Sequence, residues 1–284
     1  MSIRHNHMTS QKIEKKIAGG DGQGEGKAYR PWLRVGDFAN RGRAHRILDN
    51  SGRICQLFSD LEQDYYFHLL WQDEITDINE QYPLQPLALT QSIAAECGFV
   101  HPRDKVTGTD VVMTTDFYIK ARAQDGEIQL ARAVKYANEL RKPRVKEKLM
   151  IEKLYWEKRG IEWKIVTETS INRKEAGNIR YLLARYSDSC VEGLPDQVLP
   201  FLARELTRSP YARAEEICAA LDETFSAPKG SVLKALYYFG AHKIIPFQMQ
   251  NCWTACRVDE MIDIDLMKKY ISEGFYDEEL TGSR

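Results

Sequence analysis

"TDFYIKARAQDGEIQLARAVKY", residues 115–136, reads as two strands joined by a turn. Side chains alternate across a strand, so Val111, Met113, Thr115, Phe117 and Ile119 share one face, and Val112, Thr114, Asp116, Tyr118 and Lys120 share the other. "AQDG" supplies the turn. On the return strand Ile128, Leu130, Val134 and Tyr136 point one way, and Gln129, Ala131, Ala133 and Lys135 the other. Asp116 and Lys135 are therefore expected on the same side of neighbouring strands. That is either a cross-strand ion pair of little worth or part of a site.

Regular elements flank the hairpin. In "FSDLEQDYYFHLLWQDE" the apolar Leu61, Tyr65, Leu69 and Leu70 fall on one helical face, with Ser59 as N-cap. "EITDINEQYPL" (74–84) reads as a short strand ending at Pro83, and "PLQPLALTQSIAAECGFVHPRD" as an irregular or partly helical connection. "PRVKEKLMIEKLYWEKRG" (143–160) has helical spacing, and "IEWKIVTE" (161–168) reads as a strand. Helix, strands, helix, strand predicts an α/β domain with a mixed sheet over residues 21–170. Beyond it come short helical segments, "NIRYLLARY", "LPFLAREL", "ARAEEICAALDETF" and "SVLKALYYFG", then the strand-like "HKIIPFQMQ". Helix, turn, helix and strand fit a winged-helix-like module over residues 171–284. A purely helical docking domain fits the same pattern.

A chain of 284 residues accommodates two such cores. With 43% hydrophobic and 29% charged residues it has the composition of a soluble globular protein, and no apolar run approaches the roughly 20 residues of a membrane span. "MSIRHNHMTSQKIEKK" lacks the apolar stretch of a signal peptide, so a cytoplasmic location and no membrane partner are expected. Six scattered cysteines suit reduced thiols, and Cys252 and Cys256 lack the second pair that a zinc site needs. The glycine-rich "AGGDGQGEGKAYRP" (18–31) holds no regular element, and Lys27 precedes Ala28 rather than the Ser or Thr of a phosphate loop. Residues 1–20 are therefore expected to be a flexible basic arm.

The net charge of −1 conceals an asymmetry. Residues 1–50 hold ten Lys or Arg against five acids, residues 141–160 eight against three, and residues 259–284 three against eight. Basic blocks in the first half are expected to face a polyanion or to be plain solvated faces, and the last stretch to be an acidic tail.

Hydrolysis of a phosphodiester calls for a hard cation to polarise the phosphate and acidify the attacking water. Magnesium is usually held by one or two carboxylates with waters and phosphate oxygens completing the shell, and a nearby lysine stabilises charge developing in the transition state. Glu62, Asp116 and Lys135 are the candidates for these parts. "Ser59-Asp60-Leu61-Glu62" is equally a capping box, in which Glu62 returns a hydrogen bond to the Ser59 N–H. Lys142, Arg144, Lys146 and Lys148, with Arg43 and Arg46, are candidate phosphate contacts, which position DNA without reading bases.

Six blocks, "GDGQGEGKAYRPWLRVGDFANRGRAHRI", "LFSDLEQDYYFHLLW", "DINEQYPL", "VMTTDFYI", "AVKYA" and "EKLYWEKRGIEWKIVTETSIN", resemble in order and spacing the TnsA endonuclease subunits of heteromeric cut-and-paste (Tn-seven-like) transposases. The resemblance covers residues 10–180; the remainder is similar in helical pattern only. It implies a restriction-endonuclease-like mixed-sheet domain followed by a mainly helical, winged-helix-like domain. It also implies Mg2+-dependent nicking, with Mn2+ as a substitute, at the 5′ transposon ends in double-stranded DNA. The implied partners are a DDE-type transposase and an AAA+ ATPase regulator that contacts the C-terminal domain, in a bacterial cytoplasm and on the nucleoid when assembled. By the same resemblance Glu62 in "SDLE", Asp116 in "TTDF" and Lys135 in "AVKYA" are catalytic, with Glu62, Asp116 and the Val134 carbonyl as metal ligands. Where the family has Gln or Glu this chain has Ala133. Either a water fills that coordination place and leaves a weakened, competent site, or the chain is a catalytically impaired DNA-binding and assembly subunit, by nature or through an engineered change. Glu152 matches an acid of the family pattern; its expected place is a solvated helix position.

Overall fold

The computed structural model describes residues 7–37, 43–49, 52–253 and 256–278. The chain divides into two units, residues 1–171 and 172–284. In the first, α1 (Ser10–Ala18) precedes a hairpin of β1 (His45–Leu48) and β2 (Ile54–Leu57), then α2 (Asp60–Leu70), β3 (Ile75–Pro83), α3 (Leu87–Glu96), β4 (Thr114–Ala123), β5 (Gly126–Val134), α4 (Pro143–Glu157) and β6 (Glu162–Val166). The main sheet has the order β3-β4-β5-β6. Its first two pairings are antiparallel and the last is parallel. A parallel neighbour requires a crossover, and α4 provides it between β5 and β6.

Alternation along β4 feeds two cores. Phe117 and Ile119 pack with Val134 against Leu61, Tyr66 and Leu69 of α2. Tyr118 on the opposite face packs with Ala131 against Ile151, Tyr155 and Trp156 of α4 and Ile93 of α3. Both faces of the sheet are thus covered by helices, the arrangement expected when a strand carries large apolar residues at consecutive positions.

Residues 7–20 differ from the expected flexible arm. Thr9 caps α1 by accepting the Lys12 N–H, and Met8 and Ile13 are buried in a cluster with Trp32 and Val112. The glycine-rich stretch, expected to hold no regular element, is an ordered loop with one 3-10 turn at Gly26–Ala28. A Cβ at Gly22 would lie 2.2 Å from the Pro83 ring, so only glycine lets this backbone lie against β3. Two apolar side chains in a polar segment suffice to dock the helix, a signal that composition averages away. Residues 1–6 of the expected arm lie outside the described residues.

The second unit runs α5 (Arg173–Leu183), α6 (Val198–Arg208), α7 (Ala214–Thr224), α8 (Ser231–Ala241), α9 (Val258–Met261), α10 (Ile264–Ser272) and α11 (Phe275–Glu278). Its core includes Ile179, Leu182, Leu202, Leu206, Val232, Leu236 and Met267. Asp222 on α7 accepts the N–H groups of Gly230 and Val232 (2.6 and 2.8 Å), which satisfies donors at the start of α8. The strand expected at 242–250 is absent among the described residues. Lys243 sits at φ 59, Pro246 supplies no N–H, and one bridge, Phe247 to Ile262, is all the pairing the segment makes. Its bridge partner Ile262 stands between α9 and α10, so no second strand forms beside the segment. Part of the expected acidic tail, residues 279–284, lies outside the described residues.

Candidate active site

The sheet opens where β4 begins and β5 ends. Ladder pairing between them stops at Phe117 and Arg132, while β5 continues beside β6 as far as Val134 and Val166. In the gap a side chain replaces the backbone acceptor: Asp116 Oδ2 accepts the Val134 N–H (2.6 Å). The same oxygen accepts a hydrogen bond from Lys135 Nζ (2.8 Å), which also donates to the Val134 carbonyl (2.9 Å). The expectation that Asp116 and Lys135 share a face holds. Both hydrogen-bond donors to the aspartate converge on Oδ2, so Oδ1 carries no hydrogen bond among the described residues.

Glu62 reaches the same place from α2. Its backbone N–H donates to Ser59 Oγ (3.1 Å), Ser59 Oγ donates back to Oε1 (2.9 Å), and the Phe58 N–H donates to Oε2 (2.9 Å). The capping box is therefore real, with the returned hydrogen bond going to Phe58 rather than to Ser59. It does not carry Glu62 away from the hairpin. Glu62, Asp116, Val134 and Lys135 line one cleft of about 680 Å3. Ser59 fixes the first turn of α2, and the turn delivers the carboxylate to the open end of the sheet.

Glu152 of α4 lines the cleft as well. It is 5% exposed, not solvated. The Thr115 hydroxyl and Trp163 Nε1 (3.0 Å) both donate to its Oε1. The helical period carried the signal: Glu152 sits three after Leu149 and three and four before Tyr155 and Trp156, all buried. Ala133 is fully buried and is not among the residues lining the cleft.

Electrostatics mark the cleft as a place short of positive charge. Burial, then repulsion from Asp116, pushes the Glu62 carboxyl above the usual range against the pull of Lys135. Burial and Asp116 likewise push Glu152 up to about 7. For Lys135 burial alone would favour the neutral amine, but Asp116 and Glu62 outweigh it and hold the ammonium charged well above neutrality.

No group of three or more His, Cys, Asp or Glu among the described residues is arranged to hold a metal ion unaided. A cage built wholly of protein is thus absent there, whereas the donor set fits magnesium, which takes one or two carboxylates and keeps waters. The uncommitted Asp116 Oδ1 and the crowded Glu62 suit such an ion. The Val134 carbonyl has a second lone pair beside its bond to Lys135.

The expected phosphate contacts are distributed differently. Lys148 lines the cleft from an exposed position, and desolvation at the cleft wall with the charges of Arg144, Lys135 and Lys105 holds it below the ordinary lysine range. Arg144 is paired with Glu147 (2.6 Å) and Lys142 with Glu139 (3.4 Å). Lys146 is exposed on α4. Arg46 donates to the Val35 carbonyl (2.7 Å), and Arg43 lies 4.0 Å from Asp60.

Residues 72–168, which span β3 to β6 and carry Asp116, Lys135 and Glu152, match the family described as TnsA-like endonuclease N terminal. The chain is also 33% identical over 266 residues to the Transposon Tn7 transposition protein TnsA of Escherichia coli, across 93% of this chain and 94% of that protein.

Proposed function

Since this chain belongs to the TnsA family and is a transposition endonuclease subunit with a restriction-endonuclease-like domain, we propose that it nicks the 5′ ends of a transposon in double-stranded DNA by attack of water on a phosphodiester. The observation that carries this reading is the meeting of Glu62 from a helix, Asp116 from a strand start and Lys135 from a strand end in one cleft. Glu62, Asp116 and the Val134 carbonyl are the residues that would hold Mg2+ or Mn2+, with Glu152 adding negative charge beside them. A bound cation supplies charge neutralisation at the phosphate and lowers the pKa of water.

The remaining roles follow from the chain's own groups. Lys135, fixed by Asp116 and the Val134 carbonyl, keeps its proton and stabilises the negative charge that grows on the phosphate. Lys148 at the cleft, with Lys142, Arg144 and Lys146 on or beside α4, holds the DNA backbone without reading sequence. Arg43 and Arg46 extend the contact. Specificity for the transposon end then comes from the partners, a DDE-type transposase that processes the 3′ ends and an AAA+ regulator that engages the helical unit.

Asp116→Ala tests the reading directly. In a reaction assembled with the partner transposase and transposon-end DNA, 5′ nicking falls by on the order of 100-fold, as expected when a site oxygen and the anchor of Lys135 are removed together. Formation of the DNA complex is retained. Unchanged nicking in this variant refutes the reading. A second reading, an assembly subunit without chemistry, is favoured by the buried, apolar Ala133 two residues before Lys135. It requires that neither wild type nor Ala133→Gln nicks while both assemble. The Gln side chain costs about 1–3 kcal/mol of overpacking at this position, so folding of that variant is checked alongside.

A further inference from the structure

We propose that Gln81 is a positioning residue that ties the Glu62 carboxylate to the strand rung carrying Asp116. Glu80 and Gln81 are both buried, at 0% and 4% exposure, as consecutive side chains are in a sheet covered on both faces. What departs from regular strand geometry is the Gln81 backbone, whose φ is 50. A residue with a side chain rarely adopts that conformation, which persists only where the surroundings over-determine it. The surroundings do so here. The Trp32 N–H donates to the Gln81 carbonyl (3.2 Å), and the neighbouring Glu80 is pinned by Arg53 (2.6 Å) and by the Gln56 N–H (3.0 Å).

The strained backbone aims the amide at the site. Gln81 Nε2 donates to Glu62 Oε2 (3.3 Å), and Gln81 Oε1 accepts from Thr114 Oγ1 (3.3 Å). In the β3–β4 register Glu80 faces Phe117 and Tyr82 faces Thr115, so Gln81 stands opposite Asp116. The capping bonds from Phe58 and Ser59 hold Glu62 only to its own helix start. Gln81 is the link between that carboxylate and the sheet, and it sets where Glu62 lies relative to Asp116. A single long amide bond is weak by itself; its value is in selecting one orientation of a carboxylate that two other donors leave compatible with several.

This inference rests on the reading that Glu62 and Asp116 hold the cation together, and two variants separate it from that reading. Gln81→Gly removes the amide and relieves the positive φ, which offsets the loss of a buried side chain, and melting of the full chain is followed to verify the fold. Thr114→Val leaves the amide in place without its anchor. Mn2+ is titrated into each full-length protein, with free Mn2+ followed by electron paramagnetic resonance, and the Mg2+ dependence of nicking is measured in the assembled reaction. The expected result is a roughly 10-fold or greater rise in the Mn2+ dissociation constant for Gln81→Gly and a smaller rise for Thr114→Val. Nicking by Gln81→Gly recovers toward the wild-type rate at high Mg2+, which a damaged fold would not allow. An unchanged Mn2+ affinity in a normally melting Gln81→Gly protein overturns the proposal, as does a lowered melting temperature with nicking lost at every Mg2+ concentration. If Asp116→Ala also leaves Mn2+ affinity unchanged, the underlying two-carboxylate site fails with it; if Asp116→Ala abolishes binding, the failure is confined to Gln81.

Discussion

Replacing Glu152 by Gln should make the metal-free protein more stable. The carboxyl is buried on the inner face of α4, and its pKa stands at about 7 against an ordinary value of 4.5. Between those values the folded state binds more protons than the unfolded state, so stability falls as pH rises from about 4.5 to about 7 and stays low above it. At pH 8 the charged carboxylate therefore costs the fold about 3 kcal/mol, taking roughly 1.4 kcal/mol for each pKa unit. Gln carries no charge, and its Oε1 can accept from the Thr115 hydroxyl and Trp163 Nε1 as Glu152 does. Finding a partner for the new amide donors consumes part of the gain. A net of about 1–3 kcal/mol remains, or a rise in melting temperature of roughly 3–10 °C at pH 8. Calorimetric melts of both proteins in chelator from pH 5 to pH 8 supply the test. The variant's advantage should be largest at pH 8 and nearly gone at pH 5, and its Mg2+-dependent nicking should fall by about 10–100-fold. If Glu152→Gln melts below wild type at pH 8, or the difference is the same at both ends, the carboxyl is not held uncharged by its surroundings and the electrostatic account of the cleft is wrong.

Two further outcomes follow from the same structure. Cation binding must displace protons from the raised carboxyls of Glu62 and Glu152, so Mg2+ affinity should climb about tenfold per pH unit and per proton displaced up to about pH 7, then level off; equal Mg2+ affinities at pH 6 and pH 8 would contradict this. Arg53→Leu strands the fully buried Glu80, its partner at 2.6 Å, and should cost about 3–5 kcal/mol in denaturant unfolding at pH 7. That deficit should shrink at low pH, because burial raises the Glu80 carboxyl and its protonated form needs no cation; a loss below about 1 kcal/mol would mean the pair contributes little.

Local pattern was enough for much of this molecule. Strict alternation from Thr115 to Lys135 specifies a hairpin and the side on which each residue lies, because the period of a strand is two whatever surrounds it. Ser59 before the apolar stripe of α2 marks that helix start for an equally local reason, since its hydroxyl meets an orphan N–H three residues on. Asp116, Lys135 and the first turn holding Glu62 could be read in this way. The β1–β2 hairpin could not: its strands are four residues each, too short for a period to declare itself. The supposed strand at 242–250 misled for a related reason, since apolar residues near Pro246 form a ladder only when a partner strand exists, and its one bridge partner, Ile262, is flanked by the helices α9 and α10.

Distances between remote residues belong to packing. Helical phase puts Glu152 on the buried face of α4, but no spacing along the chain says that this face borders a cleft shared with Asp116 and Lys135. Nor does any spacing say that α1 folds back through Ile13 or that the Gln81 backbone takes a positive φ within β3. Those outcomes depend on which surfaces the two faces of the sheet bury and on where its strands part. A chain dictates its own periodicity through backbone geometry, residue by residue; the meeting of three carboxyl groups and an ammonium at one end of a sheet arises only when helices on both faces are packed at once.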